Sequence, residues 1–310
     1  MNKRVLVLSS AYICLDAYMP ALPAGSAERE GDGYTVNPGG KGLTAALTFR
    51  AMGLDSIFCA AVGDDEYGRQ IDGFLKATGV DRRFLKQCAG SRSGLYMSVH
   101  ESDRGPRTVK FPQANSRLTK DDIQAAFMVY PDALYIQNEL PYELSSFAVN
   151  LARSKGVPVF WQPCASSTGR YAEALPGRFE AVIFDANEVS SYCGVIPNEY
   201  DKFLAAAMAL ASHINSKYII IRLPDRGAFI YDGLHHEMAG EYPSTYLDES
   251  GSSVVYGAAF ISAYLKTDGN VKKAAKCAAA AYAYSSSNKG DVGSVPSVSD
   301  LVRFLKRDQY

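Results

Sequence analysis

Charge of neither sign is in excess: 32 Lys and Arg stand against 33 Asp and Glu in a chain of 310 residues. With no net field to attract a polyanion, nucleic acid and anionic membrane surfaces are not expected partners, and a small molecule is. No segment approaches the ~20 consecutive apolar residues that span a bilayer. The six cysteines (Cys14, Cys59, Cys88, Cys164, Cys193, Cys277) form no C-x-x-C pair, and the four histidines include a single adjacent pair, His235-His236. That pattern offers no structural zinc site and fits a reduced, cytosolic chain. His235 and His236 follow the Asp232-Gly233 turn, and neighbours on a strand face opposite ways, so solvated hairpin residues are expected there rather than metal ligands. A secretory leader is not expected. Lys3-Arg4 precedes only the short apolar run Val5-Leu6-Val7-Leu8, which Ser9-Ser10 and then Asp16 interrupt, and such a run suits a fully buried parallel strand. Internal repeats and low-complexity tracts are also missing.

What is present alternates between strand and helix. Residues 4–10 read as a first strand, and segments 133–137, 144–153, 157–161, 181–184, 200–213 and 218–222 continue as strand and helix in turn. This order predicts right-handed βαβ units and an α/β fold: a mostly parallel sheet with helices on both faces. The length suits a single domain over residues 1–310. Segments 95–99 and 107–111 alternate in polarity around the turn-rich Ser102-Asp103-Arg104-Gly105-Pro106, which predicts a hairpin. Ligands in such folds sit beyond the carboxyl ends of the strands. Glu139, just past one strand end, is therefore either a ligand contact or the cap of the next helix.

Residues 248–265 carry the strongest local signal. Small residues give way at Ser253 to an apolar run with Tyr256, Phe260 and Tyr264 four apart, the spacing of one helix face. The unpaired amides of Gly251, Ser252 and Ser253 at that helix start suit an anion such as phosphate. A second glycine-marked stretch, Asn37-Pro38-Gly39-Gly40-Lys41-Gly42-Leu43-Thr44, leads into a helix that Gly53 ends. Adjacent glycines allow a ligand hydroxyl to approach the backbone closely.

These two stretches, with residues 57–65 and Tyr67-Gly68, resemble the PfkB (ribokinase-like) carbohydrate kinases over nearly the whole chain. The first resembles the family's Asp-Thr-x-Gly-Ala-Gly-Asp run and the second its Gly-Gly-Lys-Gly segment. The resemblance implies a ribokinase-like three-layer αβα domain with a small β-sheet lid, built from segments of about 12–36 and 94–112, that covers the sugar site and serves dimerisation. By the same resemblance Tyr12 and Cys14 stand where relatives hold the sugar with Asn and Asp. Asp16, on the same strand face as Cys14, is either a shifted carboxylate contact or an exposed loop acid. Gly39, Gly40, Lys41, Thr44 and Glu139 are the further substrate-binding candidates.

The nucleotide side departs further from the pattern. Asn187 keeps the Asn of Pro-Asn-x-x-Glu, but Ser190 replaces the acid that organises Mg, and Glu188 is expected to point away because two helix positions turn through ~200°. Arg222-Leu223-Pro224-Asp225-Arg226-Gly227 replaces a Thr-x-Gly-x-x-Gly phosphate loop; Gly227 survives, Pro224 offers no amide, and Arg222 either pairs an anion or makes a surface salt bridge. Val254 falls on the catalytic Asp.

Valine accepts no proton, and loss of a general base costs ~10²- to 10⁴-fold in rate. The resemblance therefore implies a sugar- or nucleoside-binding kinase relative with weak or lost phosphotransfer, ATP and Mg as the family's cofactors with their binding weakened here, no assigned metal ligand and a homodimer formed through the lid. The alternative is an active kinase with a displaced base, for which Asp248, Glu249 and Asp16 are the available carboxylates.

Overall fold

In the computed structural model, residues 2–25, 27–102, 104–164, 174–223, 226–240, 242–243 and 246–307 are described. Strand β1 (Arg4–Leu8) is an interior strand of the main sheet, flanked in parallel by β4 (Asp55–Gly63) and β8 (Ala133–Ile136). A strand flanked on both sides and covered on both faces must be apolar throughout, which is why Val5-Leu6-Val7-Leu8 has no polar alternation. Its side chains divide between two cores. Val5 and Val7 join one, which takes in helices α1 (Lys41–Ala51), α7 (Ser252–Lys266) and α8 (Val271–Ser286). Leu6 and Leu8 join the other, with α3 (Lys120–Phe127), α4 (Tyr142–Ser154) and α6 (Tyr200–Ala211). The expected three αβα layers are present.

The full strand order is β13-β12-β11-β10-β9-β8-β1-β4-β5. Strands β5 (Asp81–Cys88), β9 (Val159–Trp161), β10 (Arg178–Asp185) and β11 (Asn215–Leu223) extend the parallel part. Strands β12 (Gly227–Tyr231) and β13 (His236–Ala239) close one edge as an antiparallel hairpin. His235 is exposed in its turn, and His236 stacks on Phe229 with ring centroids 5.7 Å apart.

A second sheet of four strands forms the lid, in the order β3-β2-β6-β7: β2 (Tyr12–Met19), β3 (Gly33–Gly39), β6 (Gly94–Glu101) and β7 (Arg104–Phe111). Its two central strands, β2 and β6, are parallel, and each pairs antiparallel with an outer strand. The hairpin turn is tighter than its composition suggests, since Gly105 and Pro106 already belong to β7. As an edge strand, β7 tolerates proline because one side of it needs no donor. Asp103 lies outside the described residues. Among the described residues no helix is long and apolar enough to cross a membrane.

Candidate functional site

The site lies where β1 gives way to the lid. After Leu8 the chain passes Ser9 and Ser10 into β2, and β3 returns it to Gly39 and Gly40, immediately before α1. Gly40 takes φ +91, and a Cβ there would lie 2.9 Å from the Tyr12 ring. Only glycine fits this turn, which exposes the Gly40 amide at the N-terminus of α1. That amide donates to Asp291 Oδ2 at 3.3 Å, and Thr44 Oγ1 donates to Asp291 Oδ1 at 2.7 Å.

Asp291 is the residue that sequence reasoning missed. It comes from the loop after α8 and reaches the start of α7, where a Cβ on Gly251 (φ +73) would lie 2.1 Å from its Oδ1. Partial burial raises its pKa above the ordinary carboxylate range; the charges of Glu139 and Asp16 add to the rise, and the Thr44 and Gly40 bonds only partly oppose it.

The other substrate-side candidates gather around it. Cys14 lies against Gly39, and burial, with the charges of Asp291 and Asp16, pushes its thiol up. Asp16 is on strand β2 rather than in a loop and pairs with His100 Nε2 at 2.9 Å; His100 in turn stacks on Tyr18. Tyr12 is buried, and burial together with Glu139 raises its phenol. Glu139 does not cap α4. It accepts from Ser10 Oγ at 2.5 Å and from the lid residue Lys110 at 3.1 Å, so it ties the sheet to the lid. Lys41 is held protonated: burial works against its charge, but Cys164, Glu188, Glu139 and Asp185 outweigh it. The Cys164 thiol is itself pushed up to about 11, chiefly by burial, which leaves it neutral near pH 7 beside the Lys41 ammonium.

The nucleotide side corrects the expected register. Strand β10 runs on to Asp185, so α5 (Ala186–Cys193) starts earlier than the placement of Asn187 and Ser190 supposed. Glu188 sits at the third helical position, folds back so that the Asp185 amide bonds its Oε2 at 3.4 Å, and is 9% exposed. It faces the Lys41 side of the cleft instead of turning away, while Asn187 is exposed. Asp185 and Glu188 thus keep the spacing of Asn-x-x-Glu, with Asp for Asn.

Asp185 also accepts from Ser253 Oγ at 2.5 Å and from Arg222 Nε. Arg222 is 9% exposed, so its salt bridge is buried rather than superficial, and its guanidinium lies 4.4 Å over the Tyr282 ring. Its Nη1 is buried without a partner among the described residues, as is the Tyr256 hydroxyl; both line a small cavity with Gly227 and Tyr282. Pro224 lies outside the described residues.

The proposed displaced bases are engaged elsewhere. Asp248 accepts from the amides of Ser250 and Gly290, each at 2.9 Å. Glu249 accepts from Tyr282 OH at 2.7 Å. Val254 is 3% exposed and packs in the core shared by α1, α7 and α8. Ser252, buried, bonds Ser285 Oγ at 3.1 Å, and Ser285 meets Ser294 Oγ at 2.8 Å.

The implied ATP and Mg can be set against these donors. Arg222 Nη1, buried without a partner among the described residues, suits a phosphate, whereas the Ser252 amide in the first turn of α7 already donates to Glu249 O at 3.1 Å. Mg is commonly held by one or two carboxylates plus phosphates and water, and Glu188 with Asp185 supplies that number; no group of three or more His, Cys, Asp or Glu forms a metal cage among the described residues. The residues present fit a magnesium nucleotide.

Comparison with known proteins finds relatives along nearly the whole chain. The model of the pfkB family carbohydrate kinases matches residues 2–297. A fructokinase of Solanum tuberosum is 24% identical over 97% of this chain and 96% of its own length. A ribokinase of Haemophilus influenzae is 22% identical over 99% of each. The structure of Arabidopsis thaliana ribokinase complexed with ribose and ATP superimposes with a TM-score of 0.87 at 18% identity, covering 99% of both chains.

Proposed function

The chain belongs to the pfkB family of carbohydrate kinases, and on that premise we propose that it binds a sugar or nucleoside-like polyol beneath its lid and phosphorylates it weakly from MgATP. The observation that carries the reading is the convergence on one cleft of the Asp291 carboxylate, held by the Gly40 amide and the Thr44 hydroxyl, with the Lys41 ammonium and the lid-linked Glu139 carboxylate. Donors and acceptors mixed in this way suit vicinal hydroxyls, each of which both gives and takes a hydrogen bond.

Bound MgATP supplies the phosphoryl group and its charge neutralisation. Lys41 and the positive end of the α7 dipole would face the phosphate oxygens, Glu188 and Asp185 the metal, and Arg222 Nη1 a phosphate. Weak turnover is supported by Val254, whose own side chain accepts no proton where relatives carry the motif Asp. A second reading, a ligand-binding protein without transfer, is favoured by the packing of Val254 into the core. A homodimer through the lid is supported by its unpaired β7 edge, where Val109 and Phe111 are 48% and 41% exposed.

The test is thermal denaturation with D-ribose, D-fructose or adenosine. Binding stabilises by about 2.7 kcal/mol at a hundred times Kd, and Lys41→Met should remove the shift. If none of these ligands stabilises the wild-type protein, the reading is wrong.

A further inference from the structure

We propose that Asp291, delivered by the loop after α8, is the proton acceptor for phosphotransfer in place of the carboxylate that Val254 lacks; this rests on the polyol-kinase reading of the same cleft. Three observations carry it.

The first is position. Asp291 Oδ1 lies against Gly251, which caps α7 three residues before Val254, so the acid enters from another segment at the same helix end. Residues three apart on a helix are neighbours on its surface. The second is orientation. Each oxygen receives one hydrogen bond, from Gly40 N and from Thr44 Oγ1, which fixes the carboxylate. A carboxylate has about four acceptor sites, so about two remain for a substrate hydroxyl.

The third is support from the motif residues themselves. Asp248 bonds the Gly290 amide, and Ser294 N bonds Gly290 O at 3.2 Å. Ser252 holds the far side of the loop through Ser285 and Ser294. Asp248 and Ser252, on either side of Gly251 in sequence, thus clamp the loop that carries Asp291, while Asp16, Asp248 and Glu249 are each occupied by His100, backbone amides or Tyr282. Glu139, Asp16 and the Cys14 thiol face Asp291 among the described residues. With anions for neighbours, its carboxylate holds a proton more tightly than an ordinary one, which suits an acceptor.

In the step, the O–H bond of the substrate hydroxyl breaks and its proton passes to Asp291. The hydroxyl oxygen forms a bond to the γ-phosphorus of ATP, and the bond from that phosphorus to the bridging oxygen breaks, its electron pair leaving with ADP. Asp291 returns the proton to solvent as the phosphorylated product departs.

The experiment is single-turnover transfer from MgATP to D-ribose and D-fructose, with calorimetric binding of the same sugars and a melting curve for each variant. Asp291→Asn should stay folded, bind sugar, and transfer about 10²- to 10⁴-fold more slowly than wild type. Asp291→Ala should recover about tenfold on addition of formate, a small carboxylate that fills the vacated space. Sugar binding by a wild type that transfers nothing would overturn the role of Asp291 and leave the binding reading intact. Unchanged or faster transfer in Asp291→Asn would also overturn it, and would mark Asp291 as an occupant of the sugar's place. Absence of sugar binding in every variant, wild type included, would overturn the cleft reading and this proposal with it.

Discussion

The carboxylate of Asp248 accepts the amide proton of Gly290 at 2.9 Å across 42 residues of sequence, joining the loop before α7 to the loop after α8. Burial tends to raise its pKa, but the Gly290 and Ser250 donors and the nearby His100 outweigh burial and hold it below the ordinary value.

Asp248→Ala should therefore destabilise the protein by about 1.5–3 kcal/mol, the range for hydrogen bonds to a charged group. A depressed folded pKa gives stability that is present above the unfolded pKa of ~3.9 and lost as pH falls through the folded value. The difference in melting temperature between wild type and variant should accordingly be full at pH 7 and close at pH values below about 4. A gap that stays constant down to pH 3 would show that the charge is not involved.

Glu188→Gln should weaken Mg-dependent ATP binding by about 10- to 100-fold, the usual effect of removing a group that orients a metal site. Ser190→Glu should give no gain, because α5 begins at Ala186 and the acid at the third helical position already faces the cleft. Calorimetry with MgATP, and with ATP in excess chelator, measures both. Restored affinity in the Ser190 variant would reinstate the later register.

Val254→Asp should lose about 3–5 kcal/mol, the cost of a buried charge without a partner. The α7 dipole returns at most ~2 kcal/mol of this. Chemical denaturation reads the loss directly, and an unchanged midpoint would mean that the position opens to the cleft.

The sheet, its two helical layers and the lid were legible because they rest on local signals: apolar runs for strands buried on both faces, four-residue spacing in α7, and glycines where the backbone must turn at Gly40. Glu139 was readable as a candidate from its place past a strand end, whereas Lys41 and Thr44 became candidates through the family resemblance of the Gly39–Thr44 segment. Asp291 was not. It is one acid between two glycines, Gly290 and Gly293, and nothing near it in sequence signals that Thr44, 247 residues away, will donate to it. Glu188 was misplaced because a helix start shifted by two residues turns a side chain to the opposite face, and only the end of β10 decides that start. Arg222 was seen as a cation for an anion, but its partner Asp185 lies on the neighbouring strand, and strand neighbours are a property of the sheet order.

The Thr44–Asp291 bond also sets an order in time. On a ribosome β1 must wait for β4 and β8 to flank it, and the carboxylate that meets Thr44 is synthesised 247 residues after it. Partly made chains hold an α1 start with its amide and hydroxyl exposed to water and no carboxylate to meet them.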